Sequence, residues 1–306
     1  MKIVATIATL LLLGVFTACD TLIKDVDPSL LPQTVNKLVV HGYLSPQDTA
    51  INIMVNRSNE VLGNIYNNTG SSASLTGATV LLSSQNREVK LPFNTKDLVY
   101  RISVKEMPIV EGQTYSLKVT LGDQTVQSSC TVPKATFIKE IKFDSTLSTS
   151  MFSSAQTYYD YLYRIVWQDV PNQVNYYRVA GYLFQIEKIQ TGPNNYQMMP
   201  NITNINFRDK SRLGDLVSDQ NVDGETMISD AGRISAYTLT RPVQNSRQVT
   251  LMLLSCDKNY YDYHRTIRSF DDDNPFSEPT LIPSNIQNGL GCFAAYNKSS
   301  INITLK

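Results

Sequence analysis

Thr114-Tyr115-Ser116-Leu117-Lys118-Val119-Thr120-Leu121-Gly122-Asp123-Gln124-Thr125-Val126-Gln127-Ser128-Ser129-Cys130-Thr131 is the stretch that decides the fold. Tyr115, Leu117, Val119 and Leu121 alternate with Ser116, Lys118 and Thr120, a period of two that puts one apolar face on a strand. Gly122-Asp123 turns the chain, and glycine at the first of two loop positions suits a type II′ turn. The returning strand carries Val126, Cys130 and Val132 on one face, so Cys130 reads as a buried thiol of the core. Outward on both sides the pattern repeats. Leu38-Val39-Val40-His41-Gly42-Tyr43-Leu44 and Ala50-Ile51-Asn52-Ile53-Met54-Val55-Asn56 are strands, and Gly77-Ala78-Thr79-Val80-Leu81-Leu82 starts another. Ser58 to Thr76 is a long Asn/Ser/Gly-rich loop. About seven short strands without helical period predict an immunoglobulin-like or transthyretin-like β-sandwich over 37–134.

Residues 135–306 form a second β-rich unit. Tyr161, Tyr163, Ile165 and Trp167 alternate, Tyr176 to Ile186 and Thr250 to Ser255 are strands, and Ser300 to Leu305 closes the chain. One helix is expected near 257–270. Asp257 caps it, Tyr260, Tyr261, His264 and Ile267 recur at helical spacing, and Asp271-Asp272-Asp273-Asn274-Pro275 stops it. The fold class is therefore mainly β.

The amino terminus sets the address. Lys2 is followed by an apolar run of about 14 residues, then Thr17, Ala18 and Cys19; a bilayer span takes about 20. Phe16-Thr17-Ala18-Cys19 resembles a lipobox, with Phe16 where Leu, Val or Ile is usual. Residues 1–18 read as a lipoprotein signal, Cys19 as the lipidated thiol, and 19–36 as a tether. Lys+Arg and Asp+Glu each number 27, and charged residues are 18% of the chain. A neutral chain without a basic stripe argues against nucleic acid. Export removes most cytosolic enzyme classes. No nucleophile elbow, zinc motif or phosphate loop is written in the sequence.

Several residues bear on chemistry. Asp219, Asn221, Asp223, Glu225 and Asp230, with Gly224 at the sixth position, follow the calcium-loop template, so Ca2+ is the one cofactor considered. Against it, Thr226 stands where an apolar residue is usual, Asp230 is shorter than Glu, and no helices flank the loop. A polar turn entering a strand is the other reading. Asp271-Asp272-Asp273 reads as a cation site or a solvated loop. Export permits a disulfide between Cys256 and Cys292, and free thiols are the alternative. Tyr158, Tyr159, Tyr161, Tyr163, Tyr176, Tyr177 and Tyr182 either offer a stacking surface or fill a Tyr-rich core. Thr21, Thr49 and Ser145 each follow Asp in a short motif that resembles a bacterial O-glycosylation signal.

In order and spacing, these landmarks resemble the DUF4249 family of Bacteroidetes lipoproteins. The stretches that carry the likeness are the acidic tether after Cys19, Leu38 to Leu44, Gly77-Ala78-Thr79-Val80, Gly112-Gln113-Thr114-Tyr115-Ser116-Leu117 and Thr131-Val132-Pro133. Asn175-Tyr176-Tyr177-Arg178, Asn274-Pro275-Phe276-Ser277-Glu278-Pro279 and Ser284 to Phe293 complete it. The resemblance implies a surface-exposed outer-membrane lipoprotein, often encoded near TonB-dependent transporters, and supplies no catalytic residue. The expected function is a non-enzymatic, lipid-anchored accessory protein that captures a ligand beside such a transporter. The alternatives are a structural or adhesive surface protein without a transporter partner, and a hydrolase built on two convergent carboxylates.

Overall fold

The computed structural model describes residues 36–58, 74–149, 157–207, 214–235, 239, 243, 247–269 and 281–305. The leader 1–18, Cys19 and Thr21 of the tether, and Asp271-Asp272-Asp273 lie outside the described residues. In chain order the strands are β1 (Leu38–Leu44), β2 (Ala50–Arg57), β3 (Thr79–Ser84), β4 (Arg87–Leu91), β5 (Phe93–Asn94), β6 (Val99–Ser103), β7 (Thr114–Leu121) and β8 (Gln124–Thr131). There follow β9 (Ile138–Thr149), β10 (Thr157–Gln168), β11 (Tyr176–Gln190), β12 (Tyr196–Asn204), β13 (Leu216–Ser218), β14 (Thr226–Ile228), β15 (Gly232–Ile234) and β16 (Arg247–Cys256). Helix α1 (Lys258–Ser269) leads on to β17 (Leu290–Leu305). The fold is mainly β, with this helix near the carboxyl end.

The deciding hairpin is β7–β8. Leu121 pairs with Gln124 across the two-residue turn, and Gly122 has φ +57° while Asp123 keeps a negative φ, as a type II′ turn requires. Tyr115, Leu117, Val119, Val126 and Cys130 all point inward and are buried. The Tyr115 hydroxyl donates to Pro108 O at 2.7 Å and accepts from Val110 N–H at 2.9 Å, which anchors the loop entering β7. With β3 and β4 the hairpin makes a four-stranded sheet in the order β4-β3-β7-β8.

Nine strands build the central sheet, in the order β12-β11-β16-β17-β1-β2-β6-β5, with β13 also paired to β11. Its keystone is β17. Residues 290–295 run parallel to β1, from Val39 opposite Leu290 to Leu44 opposite Ala295. Residues 296–305 run antiparallel to β16, from Cys256 opposite Tyr296 to Arg247 opposite Leu305. The final strand expected over Ser300 to Leu305 begins ten residues earlier, at Leu290, and is 16 residues long.

Side-chain parity along β17 explains the layers. Odd-numbered Phe293 and Ala295 enter a core made with Val40, Ile53, Leu82 and Leu117. Ile303 and Leu305, on the same face, border a second core containing Tyr163, Ile165, Trp167, Val179 and Leu251. Even-numbered Cys292, Ala294 and Tyr296 face the other way, toward α1. Two four-stranded sheets therefore cover one face of the central sheet side by side, the second being β14-β10-β15 with β9, and α1 covers part of the opposite face. The first core draws Ile286, Phe293 and Ala295 from beyond residue 134, and the central sheet runs across both expected units. A strand from the end of the chain completes the sheet that the first strand begins.

That pairing depends on Gly291. Its φ is +111°, and a Cβ there would lie 2.1 Å from the carbonyl oxygen of Val40. Only glycine lets the parallel strands approach.

Candidate functional site

Asp169 follows the end of β10, and Asp219 and Asp223 lie in the turn from β13 to β14. Their carboxylate oxygens come within 4.8 Å of one another. Asp169 and Asp219 are each only 2% exposed, whereas Asp223 is exposed. Every carboxylate accepts a donor. Asp169 takes the Tyr177 hydroxyl at 2.6 Å and Gly224 N–H at 2.7 Å. Asp219 takes Asn175 N–H at 2.8 Å and its side-chain amide at 3.1 Å. Both oxygens of Asp223 take Asn172 N–H, at 3.0 and 3.1 Å. Gly224 has φ +70°, and a Cβ would press 2.8 Å against Pro171. The sequence reads this region as a turn because glycine is needed there twice over.

The calcium template is met only in part. Asp219 and Asp223 converge, but the third carboxylate is Asp169, not Glu225 or Asp230. Asn221 and Glu225 are exposed in the turn. The twelfth position fails for a physical reason. Thr226–Ile228 is already a strand paired with Gln168–Val166, so the chain runs away along β10 and does not curl back. Ser229 N–H reaches Ile165 O, which places Asp230 several residues, at about 3.3 Å each, from Asp169. The cluster offers three carboxylates, whereas calcium takes about 6–8 oxygens. Asp169 was missed because nothing marks it before the two segments are paired.

The bridge between Cys256 and Cys292 is not formed; both are buried free thiols, as is Cys130. Cys256 pairs with Tyr296, four residues beyond Cys292, and at about 3.3 Å per residue the two cysteines are too far apart along β17 for a disulfide. Burial, and then the Asp257 charge, push the Cys292 thiol up to about 12 and raise Cys256 and Cys130 as well, so all three stay protonated and unreactive.

Both histidines meet under α1. Asp257 caps the helix, accepting Tyr260 N–H at 2.8 Å, and its other oxygen accepts Ala295 N–H of β17 at 2.9 Å. Helix and keystone strand are thus pinned by one side chain. His41 Nε2 lies 2.6 Å from the Tyr263 hydroxyl. The His264 ring packs at 4.3 Å from Tyr260 and 5.4 Å from Tyr43, with its Nε2 buried and unpartnered. Arg178 donates to the Tyr260 hydroxyl at 2.5 Å and pairs with Asp215, which also holds Arg268. Burial lowers His264 to about 4, helped by the Arg178 and His41 charges, and burial lowers His41 too. Burial lifts Asp257 to about 6 against the pull of its N–H donors.

The tyrosines divide. Tyr163 and Tyr177 are core residues, and Tyr176 stacks on Tyr261 of α1 at 4.8 Å. Tyr161 and Tyr163 both contact the Phe143 ring. Phe143, Leu147 and Tyr159 stay 56%, 59% and 55% exposed on the inner side of the β9–β10 hairpin. Tyr158 has no described side chain. Of the residues in Asp-Ser/Thr motifs, Thr49 lies exposed in a bend, whereas Ser145 lies in strand β9 opposite Tyr161.

Two side-by-side sandwiches on one shared sheet, with a helix over its back, define the class as a mainly β protein. No curated protein matches the chain. A family model described as "Domain of unknown function (DUF4249)" matches residues 23–302. The chain belongs to the DUF4249 family.

Proposed function

We propose that this chain is a lipid-anchored protein of the outer membrane, held at the cell surface by an acylated Cys19. There it captures a ligand in company with a TonB-dependent β-barrel transporter and performs no bond-breaking of its own. The leader carries this reading: Lys2, a short apolar run and Thr17-Ala18-Cys19, too brief to span a bilayer. The zero net charge and the polar surface rich in Ser, Thr and Asn support contact over catalysis. Metabolic labelling with palmitate tests the anchor. Label is expected on the wild type and absent from Cys19→Ser, and an unlabelled, freely soluble wild type would sink the proposal. Pull-down from solubilised outer membranes tests the partner. A co-purified β-barrel supports it, and repeated recovery of the chain alone favours the adhesive reading.

Calcium belongs to the same proposal. Asp219 and Asp223, the template residues that converge, would hold the ion with Asp169. Two of these carboxylates are buried, and among the described residues none of the three has a basic partner. Thermal melting in Ca2+ against a chelator decides the matter, since a midpoint that does not move removes the cofactor.

A further inference from the structure

We propose that the outward face of the β4-β3-β7-β8 sheet carries a binding trough for a short neutral oligosaccharide. The ligand-capture reading is deepened here, and the proposal rests on it only in taking the chain to be a binding protein. The cross-strand register makes the trough. Glu88 stands opposite Ser83, Ser83 opposite Ser116, and Ser116 opposite Ser129. Three serines thus form one rung, and their short side chains leave a furrow running across the strands. The neighbouring rung, with Lys90 opposite Leu81, Leu81 opposite Lys118 and Lys118 opposite Gln127, raises one bank. Beyond β8, Gln287 closes the far end, hydrogen-bonded through its backbone to Gln127. At about 4.8 Å per strand, the furrow from Glu88 to Gln287 is about 19 Å long. The cleft there has a volume of ≈ 500 Å³, within the usual range for ligand sites.

The lining selects the ligand. The side chains of Glu88, Ser116, Lys118, Gln127, Ser129 and Gln287 make no hydrogen bond or ion pair among the described residues. Serine hydroxyls and glutamine amides both donate and accept, which matches sugar hydroxyls. Among the residues that line the cleft, the Glu88 carboxylate and the Lys118 ammonium cancel, so neither an acidic nor a basic ligand is favoured there. No aromatic side chain lines the cleft, and Leu81 on its bank is half-buried, so the trough offers little of the anchoring through which peptides gain most of their affinity. At Gln127 its outer edge is already taken, because Gln287 pairs with the backbone there.

The test uses the full lipidated chain in detergent micelles and calorimetry with maltotriose, cellotriose, xylotriose and mannotriose, beside trigalacturonate and triserine. At least one neutral trisaccharide is expected to bind saturably at millimolar concentration. Ser116→Tyr fills the furrow at an exposed strand position that favours aromatics, and is expected to weaken binding at least about tenfold. Lys142→Gln, on β9, is expected to change nothing. If Ser116→Tyr does not fold, the double variant Glu88→Gln/Lys118→Gln carries the test, with a loss of about fivefold expected. Absence of binding by all four neutral sugars, binding indifferent to these changes, or tighter binding of trigalacturonate or triserine overturns the proposal. Sugar binding without a co-purified barrel would overturn the transporter partnership and leave the trough standing.

Discussion

Replacing His264 by phenylalanine should make the protein more stable in mild acid than the wild type. His264 is held at about 4 against an ordinary 6.5. Between those values the unfolded chain binds a proton that the folded chain refuses, so stability falls as pH falls. At ~1.36 kcal/mol per pH unit this amounts to about 3 kcal/mol. Asp257 works in the opposite sense. It is lifted to about 6 from an ordinary 3.8, so between those values the folded chain binds the extra proton and stability rises as pH falls, again by about 3 kcal/mol. The slopes of these two groups oppose each other, and His41, also lowered by burial, acts in the same sense as His264. Phenylalanine keeps the ring contacts with Tyr260 and Tyr43 and removes a nitrogen that has no partner, so the variant should fold. Urea unfolding of the chain lacking its leader, at fixed pH values from 7 to about 4, reads the result. The single tryptophan, Trp167, is fully buried and reports the transition. The variant should gain about 3 kcal/mol over that interval relative to wild type, and Asp257→Asn should lose a similar amount. Equal pH slopes for wild type and His264→Phe would refute the reasoning, since the loss of the His264 titration is the main difference between them.

Gly291→Ala should cost at least about 3 kcal/mol, because the new methyl meets the Val40 carbonyl and the φ is strained; a urea midpoint close to wild type would contradict it. Asp169→Ala strands the Tyr177 hydroxyl and Gly224 N–H, and a loss of about 2–4 kcal/mol is expected in the same assay. Three thiols, Cys130, Cys256 and Cys292, should react with a thiol reagent only after denaturation, with no change in gel mobility on reduction. A fragment of residues 37–134 should show no cooperative unfolding, because Phe293, Ala295 and Ile286 of its core come from the other end of the chain.

What could be read from the sequence was local. The β7–β8 hairpin declares itself through alternation and one glycine, and α1 through Asp257 and a tyrosine repeat, because each is set by residues a few positions apart. β1 was legible to the residue, since Leu38, Val40 and Leu44 show its buried face. Its partner was not, because a parallel neighbour some 250 residues away leaves no period in either strand. The same holds for the site. Asp219 and Asp223 share a turn and were paired on spacing, whereas Asp169 joins them only when β14 docks on β10. His41 and His264 looked unrelated for the same reason. The serine rung is the extreme case, as each serine alone is an ordinary outward residue and only the strand register aligns them.

The run Gly289-Leu290-Gly291-Cys292-Phe293-Ala294-Ala295 now has a single physical meaning. The first half of β17 is covered on both faces, by the first sandwich on one side and α1 on the other, so Cys292, Phe293, Ala294 and Ala295 are all buried. Residues facing a helix at close range must be small, and Cys292 and Ala294 are. Phe293, on the other face, fills the sandwich, where a large group is wanted. Cysteine at 292 is thus explained by size, with no bridge needed. Because β17 follows every other named strand along the chain, pairs with β1 and supplies Phe293 and Ala295 to the first core, that sandwich cannot close before β17 is present.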